Sequence, residues 1–380
     1  MTPEEVELLS ELTIVIPTFN RPLELERAIE YWRDTPVTVH ILDGSKKPWF
    51  SVGLLPNTNS IRYHHVAQSV GDHPFENYAK RIRLSTELVD TRYSALCSDD
   101  DLFAVSGLIY ALRSLRDDKS DVVIGKCAQY LLRDEIFEWK TINWDWRNDN
   151  LSLSRDIWDH FSSNSKGSTY YGVYLTSEWK KIRLSSVERK FSNASALENI
   201  SDFLTRRALR VLVLDSYLWI SNYPDKSYPD IKFKNILEKF SEWLNNTQNK
   251  QEVEVFISVL ESGFKKFLPQ ERQHIAKFMA KSIFIDKNAL KRRSLIRRIR
   301  ASVDQKLLRA LSILPFVVRN NLFLLLTKKW KKILRTPDFV DSRTPVEDID
   351  SEDRELSEAI RNWEGILLMP REELRLRANI

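Results

Sequence analysis

The sequence predicts an α/β fold with a largely parallel central sheet, and three observations carry that expectation. Short apolar runs rich in β-branched residues alternate with longer stretches of helical period from residue 12 onward. Proline or turn residues close the first two runs, "LTIVIP" and "VTVHILDGS". The composition, 42% hydrophobic and 29% charged with only 9 Gly and 14 Pro in 380 residues, is that of a folded chain. Parallel strands joined by helices take right-handed crossovers.

Taken in order, "LTIVIP" (12–17) reads as a strand covered on both faces. In "TFNRPLELERAIEYWRD" (18–34), Pro22 suits a first helical turn and Glu24 and Glu26 favour the positive end of the dipole. Leu25, Ala28, Ile29 and Trp32 share its apolar face. "VTVHILDGS" (37–45) is a second strand with its turn, "SIRYHHVA" (60–67) a third, and "FENYAKRIRLSTELVD" (75–90) a helix. "RYSALCS" (92–98) is the strand that delivers three aspartates. "LFAVSGLIYALRSLRDD" (102–118) is then a helix and "DVVIGKCAQYLL" (121–132) a strand. Regularity breaks from about residue 133 to 185 into an aromatic, polar region. It resumes with the helix "SALENISDFLTRRAL" (195–209) and the strand "RVLVLDSYLWIS" (210–221). Beyond residue 231 "NILEKFSEWL", "EVEVFISVLESGFKKFL" and "ERQHIAKFMAKSIF" read as helices.

Cys97 and Cys127 lie in apolar strand-like runs without metal-ligand spacing, which argues for buried thiols in a reducing compartment. The start, "MTPEEVELLSEL", has no basic region leading into an apolar stretch, so the expectation is a cytoplasmic protein. The net charge of +5 conceals segregation: residues 281–335 hold 16 Lys and Arg against 2 acidic residues, and the tail from 336 is acidic.

In an open α/β sheet, ligands bind beyond the carboxyl ends of the strands. "PTFNRP", "LDGS" and "SDDD" should meet there. If the chain stays extended through Asp99, Asp100 and Asp101, the two-residue period puts Asp99 and Asp101 on one side. Two carboxylates without His or Cys beside them suit Mg²⁺ or Mn²⁺ shared with substrate phosphates. An acidic turn capping the next helix is the plainer alternative. His64 and His65, adjacent in a strand, point to opposite faces and do not make a metal pair.

"LTIVIPTFNRP", "ILDGS" and "CSDDD", in that order and spacing, resemble the family 2 glycosyltransferases of the GT-A nucleotide-sugar-binding fold. The resemblance covers about residues 12–230. It implies a nucleotide-binding part (12–130) and an acceptor-side part (131–230) of one catalytic domain (1–230); beyond it, helical period and charge alone mark a helical basic region (231–335) and an acidic tail (336–380). It also implies that Pro17, Thr18 and Asn20 border the nucleoside and that Asp43 contacts base or ribose. Asp99 would reach the ribose, Asp100 would line the same site, and Asp101 would hold the metal that bridges the diphosphate. A UDP-sugar donor and a glycan or glycolipid acceptor follow from the same likeness.

Cleaving a sugar–phosphate bond builds charge on the departing diphosphate, and an inverting transfer needs a general base for the acceptor hydroxyl. Glu198 and Asp202, at helical i and i+4 spacing, stand where the family carries its acidic base, with Glu198 preferred. Lys80 and Arg81 could pair with the diphosphate, or simply form a solvated helix face. Trp144, Trp146, Tyr170 and Tyr171 suit an acceptor pocket, or a core. The "QxxRW" type of sequence carried by the family's processive synthases is absent, which points to single or short-run transfer.

The basic segment 281–335 is too interrupted by Pro315, Arg319, Asn320 and Asn321 for a spanning helix of ~20 residues. It suits an amphipathic segment on an anionic membrane surface, or helices packed on the catalytic domain; nucleic acid is the least favoured partner. The acidic tail would fold back on it or be mobile. Two rival functions remain: a nucleotidyltransferase, which would want a glycine-rich phosphate loop that "PTFNRP" lacks, and a non-catalytic glycan- or membrane-binding protein.

Overall fold

The computed structural model describes residues 1–50, 53–55, 58, 60–69, 74–133, 136–142, 169–222, 243–244, 246–263, 340–341 and 354–378. The chain runs α1 (Pro3–Ser10), β1 (Leu12–Thr18), α2 (Pro22–Trp32), β2 (Thr38–Asp43), β3 (Gly53–Leu54), β4 (Ile61–His65), α3 (Pro74–Leu88), β5 (Tyr93–Leu96), β6 (Leu102–Phe103) and α4 (Val105–Arg116). It continues with β7 (Val122–Arg133), β8 (Ile136–Ile142), β9 (Val173–Leu175), α5 (Thr176–Val187), α6 (Ala194–Ala208), β10 (Val211–Asn222), α7 (Lys250–Gly263), β11 (Val340–Asp341), α8 (Arg354–Leu368) and α9 (Arg371–Ala378).

The described strands form one sheet in the order β11-β8-β7-β9-β5-β1-β2-β4-β3, with β10 paired to β6 and β7. The α/β architecture expected from the sequence is present. Its heart, β5-β1-β2-β4, is parallel throughout, and the antiparallel pairings lie toward the flanks. β1 and β5 are buried almost end to end, as strands covered on both faces must be. The parallel register Thr18↔Asp43 brings the ends of β1 and β2 level, so their following loops share one edge.

The aromatic stretch read as irregular contains, among the described residues, the strands β8 and β9 and the helix α5. β9 is a three-residue strand set antiparallel between β5 and β7, and α5 follows it at once. Their aromatic and polar side chains hid the period because Trp179, Arg183 and Ser186 of α5 are all buried, so polar residues occupy its inner face. α4 lies directly on β10: a methyl group at Gly107 would sit 2.2 Å from the Tyr217 carbonyl oxygen, so only glycine permits that approach. Among the described residues no helix is long and apolar enough to cross a membrane. Segment 281–335, the segment 271–284, and Trp144 and Trp146 lie outside the described residues.

Residues 354–378 of the acidic tail, expected to fold back on the basic segment or to be mobile, form two helices packed on α2; the basic segment itself lies outside the described residues. Leu356, Ile360, Trp363, Ile366, Leu367 and Leu374 join the main core, which also holds the predicted face of α2. Trp363 meets Tyr31 edge-on at 5.6 Å and Tyr130 at 6.0 Å. Glu26 was expected to serve the helix dipole; instead it is buried and receives Arg371 Nε at 2.9 Å and Arg375 Nε at 3.1 Å. A buried carboxylate needs such partners, and they come from more than 340 positions away.

If these helices are integral to the core, Trp363→Ala costs about 3–5 kcal/mol of unfolding free energy, the range for truncating a buried aromatic. Chemical denaturation monitored by far-ultraviolet circular dichroism checks this; a loss below about 1 kcal/mol would mean that α8 is only loosely attached.

Candidate functional site

The ends of β1, β2 and β5 are stitched into one surface by backbone and side-chain bonds. The Gly44 amide donates to the Thr18 carbonyl at 2.9 Å, and Arg81 Nη1 donates to the carbonyls of Thr18 (2.7 Å) and Leu42 (3.3 Å). Arg81 is buried, and burial pulls its pKa down. Its guanidinium thus holds two strand ends together, and its burial corrects the alternative of a solvated helix face that stood beside the diphosphate reading. Gly44 is required above it: a Cβ there would lie 2.2 Å from Asn77 Oδ1 and 2.8 Å from Arg81 Nε. Lys80, one position earlier on α3, is exposed.

Asp43 is buried, and both its oxygens are engaged. Oδ1 accepts from the Ser45 amide (2.8 Å) and hydroxyl (2.5 Å), and Oδ2 from the Tyr63 hydroxyl (2.5 Å). Ser45 Oγ in turn accepts the Asn20 amide at 2.8 Å. Asn20 has φ +55°, a left-handed conformation that asparagine tolerates better than most residues. Asp43 therefore organises the turn that fixes the loop after β1, next to half-buried Pro17.

The three aspartates do not continue the strand. The Asp101 amide bonds back to the Ser98 carbonyl at 3.3 Å, a tight turn that breaks the two-residue period. The expectation of Asp99 and Asp101 side by side is therefore corrected: Asp99 faces Arg21, Asp101 faces β10, and Asp100 meets both Arg21 and the Asn222 side chain, whose Nδ2 donates to its Oδ2 at 3.3 Å. Asp99 Oδ2 accepts from Thr18 Oγ1 at 2.7 Å, and its Oδ1 from Arg21 Nη1 at 2.6 Å. Arg21 Nη2 reaches Asp100 Oδ2 at 2.7 Å, so one guanidinium spans two carboxylates. Asp101 turns toward β10, where Oδ1 accepts the Asn222 amide (2.8 Å) and Oδ2 the Trp219 indole (3.2 Å). The Tyr130 hydroxyl secures the turn by donating to the Asp100 carbonyl.

Burial sets the protonation of this cluster. It pushes Asp99 up to about 7, with Arg21 the main opposing influence, and lifts Asp101 well above the usual carboxylate range, helped by the charge of Asp100. Asp99 and Asp100 hold the Arg21 guanidinium firmly charged against the opposing effect of burial.

Mn²⁺ or Mg²⁺ was expected on Asp101 and Asp99. All four of their oxygens already accept protein hydrogen bonds. Among the described residues, no group of three His, Cys, Asp or Glu is arranged to hold a metal ion. As placed, these carboxylates do not fit a resident divalent ion.

Glu198 and Asp202 both lie on α6, whose N-terminus is capped by Asn193. Asp202 is structural: Oδ1 accepts the Thr169 amide (2.7 Å) and hydroxyl (2.6 Å), and Oδ2 pairs with Arg206 at 3.0 Å. Glu198 is half-buried, and burial raises its carboxyl to about 7 against the pull of Arg183. Arg183 is fully buried over the Tyr170 ring, 4.1 Å from its centroid, and donates to the Tyr170 carbonyl. The Tyr170 and Tyr78 hydroxyls bond to each other. Tyr171 stacks on Trp219 at 4.3 Å, and its hydroxyl, raised first by burial, also feels the charges of Glu198 and Asp101. Tyr171 thus stands between the candidate base and the aspartate turn.

Sequence reasoning missed Arg21, Trp219, Asn222 and Arg183. Arg21 had one legible signal. It precedes Pro22, which keeps its backbone out of the helical region (φ −128°, ψ 65°) at the ligand-facing end of β1. The β10 residues had none, since their role depends on pairing with β6 and β7.

No family model matches the chain, and no curated protein matches it. Among solved structures, Staphylococcus aureus TarS is similar at 14% identity and a TM-score of 0.37, over 68% of this chain and 46% of that one. This chain therefore spans less than half the length of that structure. TarS 1–349 in complex with UDP-GlcNAc matches at 14% identity and 0.36, over 70% of this chain and 80% of that one. The complex of the same fragment with UDP gives 15% and 0.37, over 69% and 76%.

The raised Glu198 carboxyl has a measurable consequence. Between its ordinary 4.5 and about 7 the folded state keeps a proton that the unfolded state has lost, so stability falls as pH rises through that interval. Glu198→Gln should flatten this slope in denaturation experiments at pH 5 and pH 8, leaving the part due to Asp99 and Asp101. Equal slopes in both proteins would show that Glu198 is not raised.

Proposed function

We propose that the protein is a glycosyltransferase of the GT-A type. It would move a sugar from a nucleotide sugar, a UDP-sugar first among the candidates, to a glycan or lipid-linked acceptor in polysaccharide or glycoconjugate synthesis. The observation that carries this reading is the convergence of Thr18, Arg21, Asp99 and Asp100 beyond adjacent parallel strands, with the raised Glu198 carboxyl across the Tyr171–Trp219 wall.

In this reading each group has a distinct task. Thr18, Asn20 and the Asp43 turn shape the nucleoside side, and Asp99 presents its carboxylate to the ribose. Arg21 is a forked cation suited to a diphosphate. Glu198, with a pKa near the working pH, accepts the proton of the acceptor hydroxyl; a base must be ionised to act, so turnover would decline below about pH 7. Tyr171 and Trp219 offer flat, half-buried rings to a sugar face. Mn²⁺ or Mg²⁺ belongs to this reading only as an ion arriving with the donor diphosphate.

Release of UDP from a panel of UDP-sugars, with Mn²⁺ or with EDTA, tests the proposal. Turnover is expected with at least one donor. Glu198→Gln should then lower it by about 10²–10⁴-fold, the usual contribution of a general base, at nearly unchanged donor affinity. Absence of both turnover and thermal stabilisation with every nucleotide sugar would favour the non-catalytic alternative.

We further propose that the basic segment 281–335 rests on an anionic membrane surface, placing the enzyme peripherally on the cytoplasmic face near a lipid-linked acceptor. Its 16 Lys and Arg interspersed with Leu, Phe and Trp support this. Co-sedimentation with phosphatidylserine vesicles should weaken in high salt; binding that ignores both salt and anionic lipid content would refute it.

A further inference from the structure

The aspartate turn raises an electrostatic question that its geometry answers. Asp99, Asp100 and Asp101 are consecutive, Asp99 is 4% exposed and Asp101 7%, and together they lie at the end of a fully buried strand. Carboxylates so placed need compensation, because stripping water from an ion costs several kcal/mol. In proteins that bind diphosphates at such an edge a divalent ion is one source of that charge. Here the source is part of the chain.

Arg21 is the compensating group, and its local structure is built for the task. Asn20, held at positive φ by its bond to Ser45, turns the loop, and Pro22 starts α2 at the next residue, so Arg21 is fixed at both sides. Its two terminal nitrogens then divide between Asp99 Oδ1 and Asp100 Oδ2 at 2.6 and 2.7 Å. A third carboxylate, Glu24, stands at 4.0 Å. About a third of the Arg21 side chain remains exposed, so its outer edge faces solvent at the ligand side of the sheet. Asp101 needs no share of it, being bonded to Trp219 and Asn222.

We propose that Arg21 is the built-in cation of this site. It supplies the positive charge that Asp99 and Asp100 require, so the pair needs no resident divalent ion, and the same guanidinium is the first protein group to meet an incoming diphosphate. The first half stands on the geometry alone; the second rests on the nucleotide-sugar reading above. An arginine pairs with phosphate as readily as with carboxylate, and a bidentate exchange from one to the other keeps the charge balanced. Arg21 is accordingly a positioning residue for the aspartates and a binding residue for the donor.

The test uses full-length protein and Mn²⁺ alone, with free Mn²⁺ followed by electron paramagnetic resonance. Wild type should bind Mn²⁺ weakly. Arg21→Met should bind it about tenfold tighter or more, because two carboxylates lose their counter-charge; Arg21→Lys, which keeps the charge but not the fork, should fall between. Equal Mn²⁺ affinity in wild type and Arg21→Met would overturn the proposal. Should Arg21→Met fail to fold, recovery of its melting transition with Mn²⁺, but not with NaCl at equal ionic strength, supports the proposal; no recovery with either overturns it. UDP titrated in EDTA reports on the second half separately. Wild type should bind, and Arg21→Met should lose about tenfold, a typical loss for one charged pair. If UDP binds neither while the Mn²⁺ difference holds, the donor reading falls and the built-in cation stands.

Discussion

Negative charge cannot be carried to the end of a buried strand without an answering positive charge or donor. In this chain β5 is buried along its length and delivers three aspartates, and the edge beyond β1 and β2 is arranged around satisfying them. The Ser98–Asp101 turn divides the burden in two. Asp99 goes to Arg21 and Thr18 on the β1 side, Asp101 goes to Trp219 and the Asn222 backbone of β10, and Asp100 between them takes Arg21 from one side and the Asn222 side chain from the other. An extended triplet would have set two like charges side by side with less to oppose them.

That solution depends on rigid support. Arg21 precedes α2, so its aim is only as fixed as that helix. α2 is held from below by its apolar face and from outside by α8 and α9, which bring Trp363 to Tyr31, and Arg371 and Arg375 to buried Glu26. The far C-terminal helices therefore bear on a site they do not touch, through packing rather than through contact. Tyr130 connects the two regions, meeting Trp363 with its ring and the Asp100 carbonyl with its hydroxyl. A loop fixed in this way can present a charged side chain with little entropy left to lose on binding.

The opposite side of the site is made of aromatic and buried polar groups. Arg183 supports Tyr170 from beneath, Tyr171 lies on Trp219, and Trp219 reaches Asp101. Glu198 sits where this wall removes water from it, which raises its affinity for a proton. One helical turn away, Asp202 has the same chemical group and a structural task, because Thr169 and Arg206 occupy both its oxygens. Two carboxylates four residues apart are given different surroundings by their neighbours alone.

Much of the fold was legible in the sequence because period is a local property. The runs 12–17, 37–45, 60–67 and 92–98 became strands β1, β2, β4 and β5, and Leu25, Ala28, Ile29 and Trp32 became the inner face of α2. The same pattern marked the edge where Thr18, Asp43 and the aspartates meet, since parallel strands separated by helices must end on one side. Tertiary structure decided what those residues do there. It gave Arg21 to the aspartates, placed Arg81 beneath the strand ends, and brought Arg371 and Arg375 to Glu26. The physical reason is that a charge is governed by its surroundings in space. Periodicity says which way a side chain faces, but the partner that settles its ionisation can come from any distance along the chain.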